Sequence, residues 1–186
     1  ITMKNFSKLA LLALFIASGT FVTSCSDDDK AAEPASLYAK LGGTTMVADP
    51  NNPGQMIEQG RLSYRSVVDS TITLIVSDIV VGAEGNLGEH FAPVISEALS
   101  GNATNVAILS DNLTDFFSAN TGGGATNVYT GLDMVTAHDP AQNPRMGKKS
   151  NDAEYDKFIG YVGAAAGLNG VTDPVLIGEV EIGRAS

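Results

Sequence analysis

From residue 36 onward the apolar positions fall mainly at intervals of three and four. Ser36-Leu37-Tyr38-Ala39-Lys40-Leu41 reads as one short helix, stopped by Gly42-Gly43. Residues 44–62 contain Asp49-Pro50-Asn51-Asn52-Pro53-Gly54, a strong loop signal. Between Ser63 and Val81 the positions Val67, Val68, Leu74, Ile75 and Ile79 suit a helix, although the β-branched run Thr71-Ile72-Thr73 would also suit a strand. A second short segment runs from Phe91 to Leu99, with Pro93 in its first turn. Asn102-Ala103-Thr104 opens a longer pattern, Val106, Leu109, Leu113, Phe116 and Phe117, whose spacing predicts one buried helical face, and Gly122-Gly123-Gly124 ends it. Two prolines keep residues 139–147 from being regular helix throughout. Asp152 begins another helix, with Phe158, Ile159 and Val162 facing inward. Asp173-Pro174 starts the last one, since proline fits a first helical turn, and Val175, Leu176, Ile177 and Val180 carry its apolar side. The expected fold is an all-α domain of about five or six helices, with 103–119 and 152–167 packed side by side.

The first thirty residues follow a different pattern. Met3 reads as the start, with Ile1-Thr2 as a remnant, and Lys4 and Lys8 make a basic opening. Leu9 to Ala17 is a short apolar run, followed by small and polar residues and then Val22-Thr23-Ser24-Cys25. A bilayer-spanning helix needs about 20 apolar residues, so this run reads as a targeting segment, to be left out of the fold. Cys25 is the only cysteine and cannot form an intramolecular disulfide. Its place after small residues predicts a lipid thioether on the first residue of a mature protein. Residues 25–35 then form a polar tether without apolar periodicity. Its Ser26-Asp27-Asp28-Asp29 run resembles the surface-export signal of Bacteroidetes lipoproteins, and equally reads as a solvated spacer. The expected organisation is a signal peptide at 1–24, a lipidated Cys25 with its tether at 25–35, and one domain at 36–186. The expected location is the face of a bacterial membrane, held there by lipid.

Charge narrows the partners. Without Lys4 and Lys8 the mature chain has 9 basic against 21 acidic residues, a net −12. Such a surface repels polyanions, which argues against a nucleic-acid role. A hydrophobic fraction of 44% is enough for a packed core. No HExxH, CxxC, P-loop or GxSxG pattern occurs, and the scattered acids read as a solvated surface, so no catalytic residues are assigned. Two histidines remain. His90 precedes Phe91 after a glycine-containing loop and reads as a solvated loop residue, while His138 follows Gly131-Leu132-Asp133-Met134-Val135-Thr136-Ala137.

Several segments together resemble group I truncated haemoglobins. Ser36-Leu37-Tyr38-Ala39-Lys40-Leu41-Gly42-Gly43-Thr44-Thr45 is similar to the family's opening. Asp115-Phe116-Phe117 with Gly122-Gly123 follows, and the likeness is strongest at Tyr129-Thr130-Gly131-Leu132-Asp133-Met134-Val135-Thr136-Ala137-His138. Asp152-Ala153-Glu154-Tyr155-Asp156-Lys157-Phe158 resembles the start of the next helix, and Gly170-Val171 to Val180 the last. The segments keep the family's order over about 36–182. The resemblance implies a truncated-globin-like helical sandwich with loop insertions at about 47–62 and 95–105. It also implies a haem whose proximal ligand is His138, with Met134, Phe91, Ile72, Leu109, Asn112, Leu113 and Phe116 around the cofactor.

The departures bear on function. Ile72 stands where the family often has a tyrosine that donates to bound dioxygen, and Leu132 where relatives have an arginine for a haem propionate. Leu109, Asn112 and Leu113 fall at or near the polar distal positions, leaving Asn112 as the obvious donor there. The reading implied is a lipid-anchored haem protein binding a diatomic ligand, O2, NO or CO. The alternative is a globin-fold module without haem, serving as a structural or binding lipoprotein. Dioxygenation of NO or peroxidation at iron would need an electron donor, and the chain encodes no reductase.

The lipoprotein reading has a direct test. Cys25→Ala should leave the protein unacylated and mislocalised or unprocessed, because lipidation and maturation both use the thiol. Metabolic labelling with a fatty acid, followed by membrane fractionation, reports both.

Overall fold

The computed structural model describes residues 34–182, with side chains to 179, so the expected signal peptide and the expected lipidation at Cys25 lie outside the described residues. The described residues form seven helices and one small hairpin: α1 Leu37–Lys40, β1 Met46–Ala48, β2 Met56–Glu58, α2 Gln59–Val80, α3 Gly88–Leu99, α4 Thr104–Ser118, α5 Met134–Ala137, α6 Asp152–Leu168 and α7 Pro174–Ile182. A π-helical turn, Ala119–Gly123, extends α4. The chain is mainly helical, as its periodicity predicts.

The long helix α2 organises the rest. Its 22 residues span ~33 Å at 1.5 Å per residue. Tyr64, Val68, Thr71 and Ile75, four or three apart, form a buried line along it. The β-branched run does not break the helix. Thr71 Oγ1 donates to the Val67 carbonyl at 2.8 Å and Thr73 Oγ1 to the Asp69 carbonyl at 2.9 Å, so both hydroxyls are satisfied within the helix. Helices α4 and α6 both pack on α2. The two helices expected side by side are not principal neighbours of each other: each packs on α2 instead, because the long helix offers both of them a buried face.

Two apolar clusters pin the ends of α2. At its N-terminal end Leu37, Tyr38 and Tyr64 are buried, with Leu41, Phe117 and Leu176 against them. The rings of Tyr38 and Tyr64 stack at 6.3 Å, and those of Tyr64 and Phe117 at 5.9 Å. Each such pair contributes ~1 kcal/mol beyond its area burial. At the C-terminal end Ile75, Leu87 and Tyr161 are buried, with Phe91 and Phe158 among the flanking residues. Tyr161 also donates to Asp78 at 2.6 Å, tying α6 to α2.

The segment 44–62 is not simply a loop. β1 and β2 pair antiparallel with Val47 opposite Ile57, and α2 begins at Gln59, four residues before the expected start. The Asp49 side chain shapes the hairpin turn, accepting from the Asn51 amide at 2.9 Å and from Asn52 Nδ2 at 2.8 Å. Arg65 on α2 grips the same carboxylate at 2.6 and 3.2 Å. That guanidinium, helped by Asn52 and the Asn51 amide, holds the Asp49 carboxyl well below the usual carboxylate range despite its burial. The sequence pattern missed the hairpin because its strands are three residues long and its turn holds two prolines. Gly42 allows the return of the chain: its φ is 108°, and a β-carbon there would collide with Gln59.

Asp49→Ala should strand the Arg65 guanidinium in a half-dry site and free the hairpin. The expected cost is about 2 kcal/mol, as for other hydrogen bonds to charged groups. Thermal unfolding followed by circular dichroism should show Tm lower by ~5 °C.

Candidate functional site

The candidate site is built on α4 and the arc of chain that follows it. On α4 the fully buried side chains are Thr114 and Ser118, while Leu109, Leu113 and Phe116 are half-buried. The apolar stripe expected to be the buried face is therefore only partly covered. Small hydroxylated residues face the interior, and their hydroxyls have no hydrogen-bond partner. Phe117 turns inward to stack on Tyr64, and Phe116 meets Tyr129 edge-on at 5.5 Å.

Beyond the π-turn the chain is fastened at Asn127. This buried residue donates to Glu58 at 2.9 Å, to Tyr38 Oη at 3.0 Å and to the Gly123 carbonyl at 3.2 Å. Tyr38 itself donates to Glu58, and Thr126 adds a hydroxyl at 2.9 Å. Burial, together with the neighbouring Glu58 carboxylate, pushes the Tyr38 phenol up to about 12. Burial also raises Glu58, but the donors from Tyr38, Asn127 and Thr126 outweigh it and hold the carboxyl below its ordinary value. An open cleft of about 420 Å³ lies here, lined by Phe116, Asn120, Val128, Tyr129, Asp133 and Met134 among others.

His138 ends the one-turn helix α5. Asp133 caps the turn, accepting from the Val135 and Thr136 amides at 3.1 and 3.0 Å. The His138 ring is exposed, and its Nδ1 lies 2.8 Å from the Met134 carbonyl. A carbonyl only accepts, so Nδ1 carries the proton and donates. In the neutral ring Nε2 then presents a lone pair away from the turn.

The structure divides the residues assigned to the cofactor. Phe116 and Met134 share the open cleft. Ile72, Phe91 and Leu109 instead line a separate, wholly apolar pocket of about 60 Å³ between α2, α3 and α4, with Ile75, Val94 and Ile95. Asn112 and Leu113 are half-buried on α4 and line neither. Leu132 is 48% exposed. No group of three or more His, Cys, Asp or Glu side chains is placed to hold a metal ion among the described residues. His138 lines neither space, so the residues assigned to the cofactor are not brought together around one cavity.

His90 departs most from the sequence reading. It lies inside α3, 5% exposed, not in a solvated loop. Its Nδ1 is 3.0 Å from the Lys148 carbonyl, and its Nε2 lies 3.2 Å from a Glu154 carboxylate oxygen, without the alignment of a hydrogen bond. Lys148 bridges Glu154 at 2.7 Å and Glu89 at 2.8 Å. Glu154 also closes the capping box of α6 with Asn151. Lys148, the Asn151 amide and His90 together hold the Glu154 carboxyl down to about 2. Gly147 fits into this cluster because a β-carbon there would collide with the Glu89 carbonyl. That carbonyl is freed by Pro93, which has no amide hydrogen to offer it. The Asn151-x-x-Glu154 spacing is a helix-start signal legible in the sequence; the burial of His90 is not.

Glu154→Gln should keep the helix cap but remove the charge that Lys148 and His90 contact. Because the folded carboxyl sits below its unfolded value, its stabilisation is complete above the ordinary glutamate range. It is lost as pH falls through about 2. The variant should lack this acid limb and, at neutral pH, show faster proteolysis and amide exchange in 139–150 than wild type. No family model matches the chain, and neither a curated protein nor a solved structure gives a significant match.

Proposed function

We propose that this chain is a lipid-anchored, globin-like haem protein in which His138 supplies the axial nitrogen and a diatomic gas is the ligand. The observation that carries the reading is the Nδ1–H of His138 on the Met134 carbonyl at 2.8 Å. Histidines that bind metals are commonly set this way, with one ring nitrogen fixed by a backbone acceptor and the other left as the donor. Met134 provides the fixing carbonyl and also lines the neighbouring cleft. That cleft is within the size range of small-molecule sites. Phe116 on α4 offers apolar wall beside that cleft. Haem, when bound, would supply the iron that takes the gas. The residues around it orient it and keep water from one face.

The division of the assigned residues between two pockets supports the competing reading, a globin-like module without haem.

Titration of the purified domain with haemin separates the two. A Soret band that saturates at one equivalent is the expected result, and His138→Ala should weaken binding at least tenfold. Wild-type protein that takes up no haem would leave the module reading. An unchanged spectrum in His138→Ala would place the iron on another residue.

A further inference from the structure

We propose that the open cleft between α4 and the arc 124–134 is a binding site for a small organic cation, an ammonium whose nitrogen carries methyl or similar apolar groups. Its support is the lining of the cleft, which does not include His138, so it is independent of the haem reading.

The apolar wall is aromatic. Phe116 and Tyr129 meet edge-on with centroids 5.5 Å apart and planes at 79°, so two nearly perpendicular rings stand at the cleft. Tyr129 is fixed there by its hydroxyl, which donates to the Leu132 carbonyl at 2.6 Å. Met134 and Val128 extend the wall, and Asp133 places a carboxylate in the same lining. The Thr136 hydroxyl at 2.6 Å and the Thr136 and Val135 amides hold that carboxyl below its ordinary range, so it stays ionised. These bonds leave about one of its acceptor positions, and the whole of its charge, to a ligand.

Charge decides the sign of that ligand. No Lys, Arg or His lines the cleft. Behind the lining residue Asn127 lies Glu58, whose hydrogen-bond donors Tyr38, Thr126 and Asn127 are all neutral. Arg61 reaches Asn127 at 3.4 Å but is paired with Asp115. The surroundings are left negative, which disfavours an anion.

Chemistry then separates organic from inorganic cations. A hard metal ion asks for several oxygen ligands. Here one carboxylate stands among aromatic and apolar groups, and no set of three metal-binding side chains forms among the described residues. An alkylated ammonium has no full shell of N–H groups to satisfy. Aromatic faces attract it within about 6 Å of a ring centroid. The cleft, at about 420 Å³, is large enough for such a molecule.

Choline chloride, titrated at low salt into the isotope-labelled protein and followed by amide NMR shifts, is the test. Saturable binding with shifts centred on 127–134 is expected. 3,3-Dimethylbutan-1-ol, the uncharged molecule of the same shape, should bind about tenfold more weakly. Asp133→Asn keeps an oxygen for the α5 cap and removes the charge, and it should weaken choline about tenfold. Phe116→Leu should weaken it several-fold. Equal affinity for choline and the alcohol, wild-type affinity in Asp133→Asn, shifts that map elsewhere, or no binding would each overturn the proposal. The readout does not use the Soret band, so it is scored apart from the haem reading.

Discussion

The burial of α2 on more than one side is the constraint on which the remaining structure depends. A helix of 22 residues presents more apolar surface than any one neighbour covers. It becomes stable here because α4 and α6 both lie against it and aromatic clusters close its two ends. The tertiary contacts also decide its conformation. The β-branched run at 71–73 has modest helical preference, yet the packing of Thr71 and Ile75 and the back-bonded hydroxyls keep it helical. The hairpin is secured to the same helix through Arg65 and Asp49, and the opening turn through the Tyr38–Tyr64 stack.

Once α2 is satisfied, the distribution of polar groups explains what is left open. α4 turns Thr114 and Ser118 inward, where small side chains permit close approach to its neighbours. Its larger apolar residues are therefore left on the flank. The charged groups are not spread evenly either. Asp49, Glu58, Asp78 and Glu154 each hold a specific partner on another segment, which for Glu154 is His90. The last three join parts of the chain far apart in sequence, so they act as fasteners more than as a solvating shell. The segment 128–146, which carries His138, runs between two such fasteners and holds no buried residue. The apolar pocket beside Ile72 and Phe91 is the better-enclosed space, but it is too small for a macrocycle and has no donor.

Much of this architecture was legible along the chain. Periodicity located α2, α4, α6 and α7 within a few residues, because each carries apolar positions at helical spacing and a recognisable start or stop. The Asn151-x-x-Glu154 cap and the Asp173-Pro174 start are local chemistry that any fold would respect. The hairpin was not legible, since three-residue strands are held by Arg65 from a different element. Nor was the fate of His90: an isolated histidine before a phenylalanine reads as solvated until Gly147, Lys148 and Glu154 are brought around it from more than fifty residues away. The faces of α4 were misjudged for a related reason. Spacing shows which residues share a face, but only the neighbouring helices decide which face is covered, and here α2 takes the side of Thr114 and Ser118. Local sequence thus determined the helices and their ends, because capping and periodicity act within one or two turns. Tertiary structure alone decided burial, the partners of the acids and the exposure of His138, because those depend on which distant segments arrive.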